Sequence, residues 1–329
     1  MIDIFNDDAF STRKLTAAIL KMPRTARVLL NSGIFTAVPQ STNKVSVEEL
    51  DQRLGIVPEK QRGSEPTYAQ PEKRTLRPFQ VPHFPHTETI YADDVRFARA
   101  LGTDAAMQTV EEAVARKLQT MNARFDATME YRLASAIQGL VKDDQGATQS
   151  SFYTDFDVSE QTVDFELSDA NTKVQKDIED ALDKAWSALG DAAPTGWMAI
   201  CGRNFFTDLR IHDSVQNAFD RPREGQFLRD IPVETFFFAG VTWVYYPGVS
   251  LSGQQIFPVD EARLLPMGVP DAFQIALAPA DTFDAPAQGQ RVFVRREIMP
   301  GGKGMQLQGQ QNALALPTRP AAMVKMTKS

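Results

Sequence analysis

Few residues in this chain are placed to do chemistry. His83 and His86 are spaced as two metal ligands could be, and Glu88 follows closely. The zinc protease motif needs its histidines on one face of a helix, whereas Pro82 and Pro85 favour an extended chain here. No cysteine and no cluster of acids accompanies the pair. A hydrolase using His83 and His86 is therefore the least favoured of the readings below. His212 stands between Ile211 and Asp213 and reads as a surface or helix-capping histidine rather than a general base. Gly301-Gly302-Lys303-Gly304 lacks the P-loop spacing and the Ser or Thr after Lys, and reads as a hairpin turn. Ser214 and Ser252 sit in no G-x-S-x-G elbow. Cys201 is the single cysteine and lies in an apolar run, so it reads as inert core. It rules out an intrachain disulfide and a Cys-based zinc site, and it fits a reducing compartment. No catalytic, cofactor-binding or metal-binding residue is assigned, no cofactor is expected, and the chain does not read as an enzyme.

The elements are more informative than the side-chain chemistry. Met107, Val110, Val114, Leu118, Met121, Phe125, Met129, Leu133 and Ile137 recur in steps of three or four, which is one apolar stripe along one helix over residues 103–138. Thr103 or Asp104 can cap its start, and Gly139 sits where a helix stops. Such a helix is roughly 50 Å long. It could be a core helix of a large α+β domain, one arm of a coiled coil, or a rigid strut; the steps average above 3.5, which disfavours a supercoiled seam.

Composition bounds the class. The chain has 329 residues, 43% hydrophobic and 23% charged, which is ordinary for a folded protein of two domains or of one with a large insertion. No apolar run approaches the roughly 20 residues of a membrane helix, and residues 1–10 do not read as a signal peptide. The net charge of −7 is uneven. Residues 143–191 hold thirteen acids and three bases, and residues 290–329 hold seven bases and one acid. The acidic total argues against a sequence-independent DNA binder. The opposite-sign segments could pair within a subunit or between neighbours, or simply be solvated.

Along the chain, Leu15, Ile19 and Leu20 could line a short helix capped by Thr16 and ended before Pro23. Residues 40–88 contain six prolines and few large apolar side chains, too few for a core of their own. Val45 and Val47 alternate like a strand, while Ser46 with Glu49 reads as a capping box for a helix using Val47, Leu50 and Leu54. Arg62-Gly63-Ser64 reads as a turn, and Phe79-Gln80-Val81 as a returning strand. Beyond the strut come a hairpin around Asp143-Asp144-Gln145-Gly146 and weak alternation over residues 152–167. A second helix follows over residues 171–189, with Val174, Ile178, Leu182 and Trp186 on one face. Then come a strand at 197–201, a helix capped by Asn204 and running to about Phe219, and a strand run over 236–246 broken at Gly240. Short strands with turns at Pro266 and Pro270 precede a final pair of strands, 292–298 and 305–316. This is α+β, without the regular repeat of a doubly wound sheet.

Taken in order, several stretches resemble the major capsid protein family of lambda-like tailed bacteriophages, which has the HK ninety-seven type fold. They are Phe10-Ser-Thr-Arg-Lys-Leu-Thr-Ala-Ala-Ile19, Gln61-Arg-Gly63, Gln80-Val-Pro-His-Phe-Pro-His-Thr-Glu-Thr-Ile90, Ala92-Asp-Asp-Val95, Glu130-Tyr-Arg-Leu-Ala-Ser-Ala-Ile-Gln-Gly139, Lys142-Asp-Asp-Gln-Gly146, His212-Asp-Ser-Val215, Gly240-Val-Thr-Trp243, Phe257-Pro-Val-Asp-Glu-Ala-Arg263, Ala278-Pro-Ala-Asp281 and Arg319-Pro320. No piece is specific alone; the ordered series spans nearly the whole chain. The resemblance implies an N-terminal arm (1–39), an extended loop lying on a neighbouring subunit (40–88), a peripheral domain (89–170) with the strut as its spine helix, an axial domain (171–285), and return strands of the peripheral domain with a C-terminal strand (286–329). It resolves the conflict at Val45 in favour of a strand. It places residues 152–167 beside 292–316 as the long strands of the peripheral domain. Some relatives crosslink a loop lysine to a neighbour's asparagine; Lys60 and Lys73 lie in the right arm, but no Asn or Glu partner is identified, so non-covalent clamping or a cement protein is favoured.

The implied function is the structural subunit of an icosahedral phage head enclosing double-stranded DNA. Its partners would be itself, in pentamers and hexamers, with a portal, a scaffold and a decoration (cement) protein. It would bind no membrane and no specific DNA sequence, and would assemble in the host bacterial cytoplasm into the virion. The alternative is an encapsulin-like host compartment.

Overall fold

A computed structural model describes residues 11–22, 28–50, 74–93, 106–219, 235–247, 250–251 and 254–328. In chain order the helices are α1 (Thr12–Lys21), α2 (Val28–Asn31), α3 (Ala106–Ile137), α4 (Phe152–Asp155), α5 (Val174–Leu189), α6 (Arg203–Ile211) and α7 (Asp213–Phe219). The strands are β1 (Thr36–Pro39), β2 (Lys44–Leu50), β3 (Arg74–Gln80), β4 (His83–Tyr91), β5 (Leu140–Lys142), β6 (Thr148–Ser151), β7 (Gln161–Phe165), β8 (Gly196–Cys201), β9 (Thr235–Phe238), β10 (Val241–Tyr245), β11 (Ser250–Leu251), β12 (Gln254–Gln255), β13 (Glu261–Met267), β14 (Phe273–Leu277), β15 (Phe293–Ile298), β16 (Gly304–Pro317) and β17 (Val324–Lys328). They form two compact units.

The first unit comprises Met1–Val45, Phe79–Leu133 and Gln274–Leu316. Its five-stranded sheet is built on β16, which pairs antiparallel with β15 on one side and β4 on the other, while β14 carries β1 in parallel. The apolar stripe of α3 lies on this sheet. Val110, Val114, Leu118, Met121 and Phe125 form one core with Leu15, Ile19, Ile90, Val292, Val294, Met305 and Leu307. A Cβ at Gly309 would stand 2.3 Å from the Met121 sulfur and 3.0 Å from the Phe125 ring, so a larger residue here would have to displace the Met121 side chain.

The second unit comprises Ser46–Pro78, Ala134–Phe273 and Pro317–Ser329. Its sheet runs β7-β17-β13-β8-β10-β9. Helix α5 buries Val174, Ile178, Ala181, Ala185 and Leu189. Trp243 is fully buried, its ring near Phe205 and Phe236 at 6.3 and 6.2 Å, and its indole N–H donates to the Phe238 carbonyl at 3.2 Å. The β9–β10 turn places Ala239 and Gly240 at φ of +50° and +80°, as a two-residue hairpin requires.

The strut, the 140–151 hairpin, the strand at Val45 and the break at Gly240 are where the sequence places them. Gly139 has φ of +74° and ends the hydrogen bonding of α3. The proposed caps Thr103 and Asp104, the turn at Arg62-Gly63-Ser64, and Lys60 and Lys73 lie outside the described residues.

Other expectations are corrected. α1 starts after Ser11, so Thr16 is interior; its hydroxyl accepts from the Val294 N–H at 3.1 Å and donates to the Val294 carbonyl at 3.2 Å, tying the helix to β15. Residues 152–167 do not accompany 292–316: Phe152–Asp155 is a helical turn, and β7 pairs in parallel with β17 in the other sheet. The strand beside β16 is instead β4, so residues 83–88 belong to the first unit's sheet rather than to a loop. Trp186 is 43% exposed, because the smaller Ala181 and Ala185 face the sheet in its place. Gly202, not Asn204, stands at the N-cap of α6, and the helix breaks at His212. Asn204 donates instead to Asp260 at 2.9 Å. Pro266 lies inside β13, beyond the last residue paired with β17, so the ladder loses little by its missing N–H.

Candidate functional site

The structure separates the residues that sequence spacing brought together. His83 and His86 differ by an odd number along β4, so they point to opposite faces. His83 Nδ1 lies 2.8 Å from Asn312 Oδ1, and His86 Nε2 lies 3.1 Å from Glu88. Among the described residues no group of three or more His, Cys, Asp and Glu side chains could hold a metal ion. His212 is buried rather than at the surface, but it does cap: its Nδ1 accepts from the Ser214 N–H at 3.2 Å at the start of α7, and its Nε2 lies 3.0 Å from the Asp169 carbonyl. Burial pushes the Cys201 thiol well above its usual range, so it holds little thiolate. Gly301 and Gly302 form the turn between β15 and β16.

What the fold does assemble is a set of buried polar ties. On α3, Asn122, Asp126 and Glu130 recur every fourth residue beside the apolar stripe, all 4% exposed or less. Arg291 donates to Asn122 Oδ1 at 2.8 Å, to Asp126 Oδ1 at 3.0 Å, and to the Ile19 carbonyl at the end of α1 at 3.0 Å. Glu130 accepts from the Leu29 and Leu30 N–H groups, each at 3.0 Å, at the start of α2. A carboxylate there satisfies helix donors that have no partner within the helix. The N-terminal segment is thus held by polar groups of the strut as well as by Leu15 and Ile19.

A second tie joins β4 to α3. Glu88, 7% exposed, meets Lys117 Nζ at 3.0 Å and Arg124 Nη1 at 2.9 Å. Burial pushes the Glu88 carboxyl up, but the Lys117 and His86 hydrogen bonds and the Lys117 and Arg124 charges outweigh it, and the net shift is downward. In the second unit, Arg263 is buried against Glu160 at 2.5 Å and lies 3.4 Å from the Tyr153 hydroxyl, while Glu261 pairs with Lys325 at 2.8 Å. Burial chiefly pushes the Tyr153 phenol up to about 12. Lys328 sits between Asp208 at 2.5 Å and Asp260 at 3.2 Å, and the Asp208 hydrogen bond leads in raising its pKa.

Sequence reasoning missed these ties because their partners are far apart in the chain, 165 positions for Arg291 and Asp126. The one local signal was the Asn122, Asp126, Glu130 line, one residue from the apolar stripe throughout. The carboxylates that the described ion pairs give to Arg291, Lys325 and Lys328 are Asp126, Glu261, Asp208 and Asp260. These three C-terminal bases thus pair with carboxylates outside the acidic run 143–191.

Solved structures with the same fold include capsid proteins. The putative capsid protein of a prophage of E. coli CFT073 superposes with a TM-score of 0.60 at 14% identity, covering 97% of this chain and 99% of that one. The capsid of Myoviridae phage XM1 superposes with a TM-score of 0.53 at 9% identity, covering 94% of each. The fold is the HK ninety-seven type capsid fold, mixed α+β.

At the level of sequence, the profile described as Phage major capsid protein E matches residues 11–328, and the chain belongs to that family. The major capsid protein of Pseudomonas phage KPP10 is 25% identical over 96% of both chains. That of Salmonella phage Felix O1 is 25% identical over 73% of this chain and 70% of its own. The chain is a structural capsid subunit of a phage virion, a shell built from copies of itself.

Proposed function

We propose that the chain forms the closed icosahedral head of a tailed phage, enclosing double-stranded DNA without reading its sequence. Copies meet as pentamers and hexamers. The first unit acts as the peripheral domain with α3 as its spine, the second, apart from its segment Ser46–Pro78, as the axial domain, and residues 1–39 as the N-terminal arm. The portal, a scaffold and a decoration protein are its partners, assembly takes place in the host cytoplasm, and the chain catalyses no reaction.

The observation that supports this best is the β2–β3 pair. Among the described residues it forms a two-stranded sheet of its own, pairing with neither larger sheet. A lone two-stranded ribbon is marginal in water, and its Leu76 side chain is 61% exposed. Such an arm gains stability by lying on another subunit, so the extended loop runs from about Lys44 to Gln80, inside the 40–88 expected. Val81 N–H donates to the Asn43 carbonyl at 2.9 Å, which keeps the two ends of the arm together without it.

Joining Val45 to Phe79 through a short Gly-Ser linker tests the reading. Circular dichroism should show a folded chain, and electron microscopy no closed particles. Normal shells from the shortened chain would reject the arm as a clamp.

A further inference from the structure

The Glu88 tie contains contacts that depend on the protonation state of His86. Arg124 Nη1 stands 2.8 Å from His86 Nε2 and 2.9 Å from Glu88 Oε1. A guanidinium has donors and no acceptor. The Arg124 contact is a hydrogen bond only when His86 Nε2 presents its lone pair, in a neutral ring with its hydrogen on Nδ1. The same Nε2 lies 3.1 Å from Glu88 Oε1, a contact that needs a hydrogen on Nε2 instead, so the two contacts belong to different protonation states of the ring.

We propose that His86, Glu88 and Arg124 form a proton-sensitive latch between β4 and α3, in which a proton on His86 Nε2 displaces Arg124. The added N–H would face the Nη1–H of Arg124 at a distance suited to one hydrogen bond, with a positive charge on each side. Of the two cations, Arg124 is the one that can leave. Its side chain is 58% exposed, against 28% for His86, whose ring is held edge-on to Phe125 at 6.2 Å between centroids. The imidazolium then donates to Glu88 Oε1, and Lys117, 3.0 Å from Oε2, keeps its place. The carboxylate stays paired throughout. What changes is where its partners come from: two ties to the helix become one tie to the helix and one within β4. No other titratable group faces the ring from β16, where Gly309 pairs with His86 and Leu307 with Glu88; Arg296 lies one strand further, on β15 opposite Leu307.

The latch sits at the strand that follows β3, so its release acts on the root of the β2–β3 arm. Mild acid should loosen the start of β4 while leaving the apolar core of α3 intact, which makes the arm's root adjustable without unfolding.

The test is amide exchange of the full chain, followed by mass spectrometry and expressed as protection factors, with His86→Gln and Arg124→Gln alongside. On lowering the pH from about 7.5 to about 5.5, protection of residues 83–91 should fall about two- to fivefold, the scale of one exposed ion pair. Both variants should show no such step, and Arg124→Gln should have the lower protection already at the higher pH. A step of equal size in His86→Gln would overturn the proposal. So would nitrogen NMR of the ring showing its hydrogen on Nε2 at the higher pH.

Discussion

Single residues carry the most specific consequences. Arg291 offsets the charge of Asp126, which is 1% exposed, and replacing one member of a buried pair leaves the other's desolvation poorly compensated. Arg291→Met should cost about 3 kcal/mol in urea unfolding, and adding Asp126→Leu should recover most of that. If the double variant is no more stable than the single, the pair is not coupled as described. Glu88 makes an acid-side prediction. Its folded pKa lies below the ordinary carboxylate value. Its contribution is therefore fully present above the unfolded pKa of about 4.3 and is lost as pH falls through the lower folded value. Glu88→Gln should be less stable than the wild type at neutral pH, and its stability should fall less steeply below about pH 4. Identical acid profiles would remove Glu88 from the account. Neither prediction could be drawn from the sequence, because Asp126, Glu130 and Glu88 look like solvated charges until their distant partners are known.

At the scale of elements, legibility followed periodicity. The apolar stripe of α3 repeats over eight turns, and every member whose side chain is described, from Val110 to Ile137, is buried. Gly139 and Gly240 were readable because a positive φ favours glycine, whereas Ala239, at φ of +50°, gave no such signal. Pairing between strands was not readable. Phe152–Leu167 alternates like β15, but alternation says which face is buried and not which sheet receives it. Likewise Thr16 looks like a cap, whereas its hydroxyl serves a strand 278 positions away. Phe125→Asp tests the stripe itself. Phe125 is 3% exposed and packs beside Gly309 and Met121. The change should cost at least about 4 kcal/mol, through lost burial and an uncompensated charge. Soluble variant with the wild-type thermal midpoint would mean the stripe faces water.

Across the whole molecule, two units have cores of their own, while among the described residues of the β2–β3 arm only Val45 is buried. A monomer gains little from such an arm, whereas a repeating shell can bury its surface at every copy. The ordered resemblance along the sequence reached this class of fold because the motifs mark turns and caps whose positions the architecture requires. It misplaced β4 and β7, which are defined by long-range pairing alone. The most direct test of a shell-forming subunit is cryo-electron microscopy of the chain expressed with the other head genes of its phage. Closed particles in which this chain makes both the five-fold and six-fold clusters are the expected result. Particles whose shell density is another protein, with this chain soluble and unassembled beside them, would contradict the account.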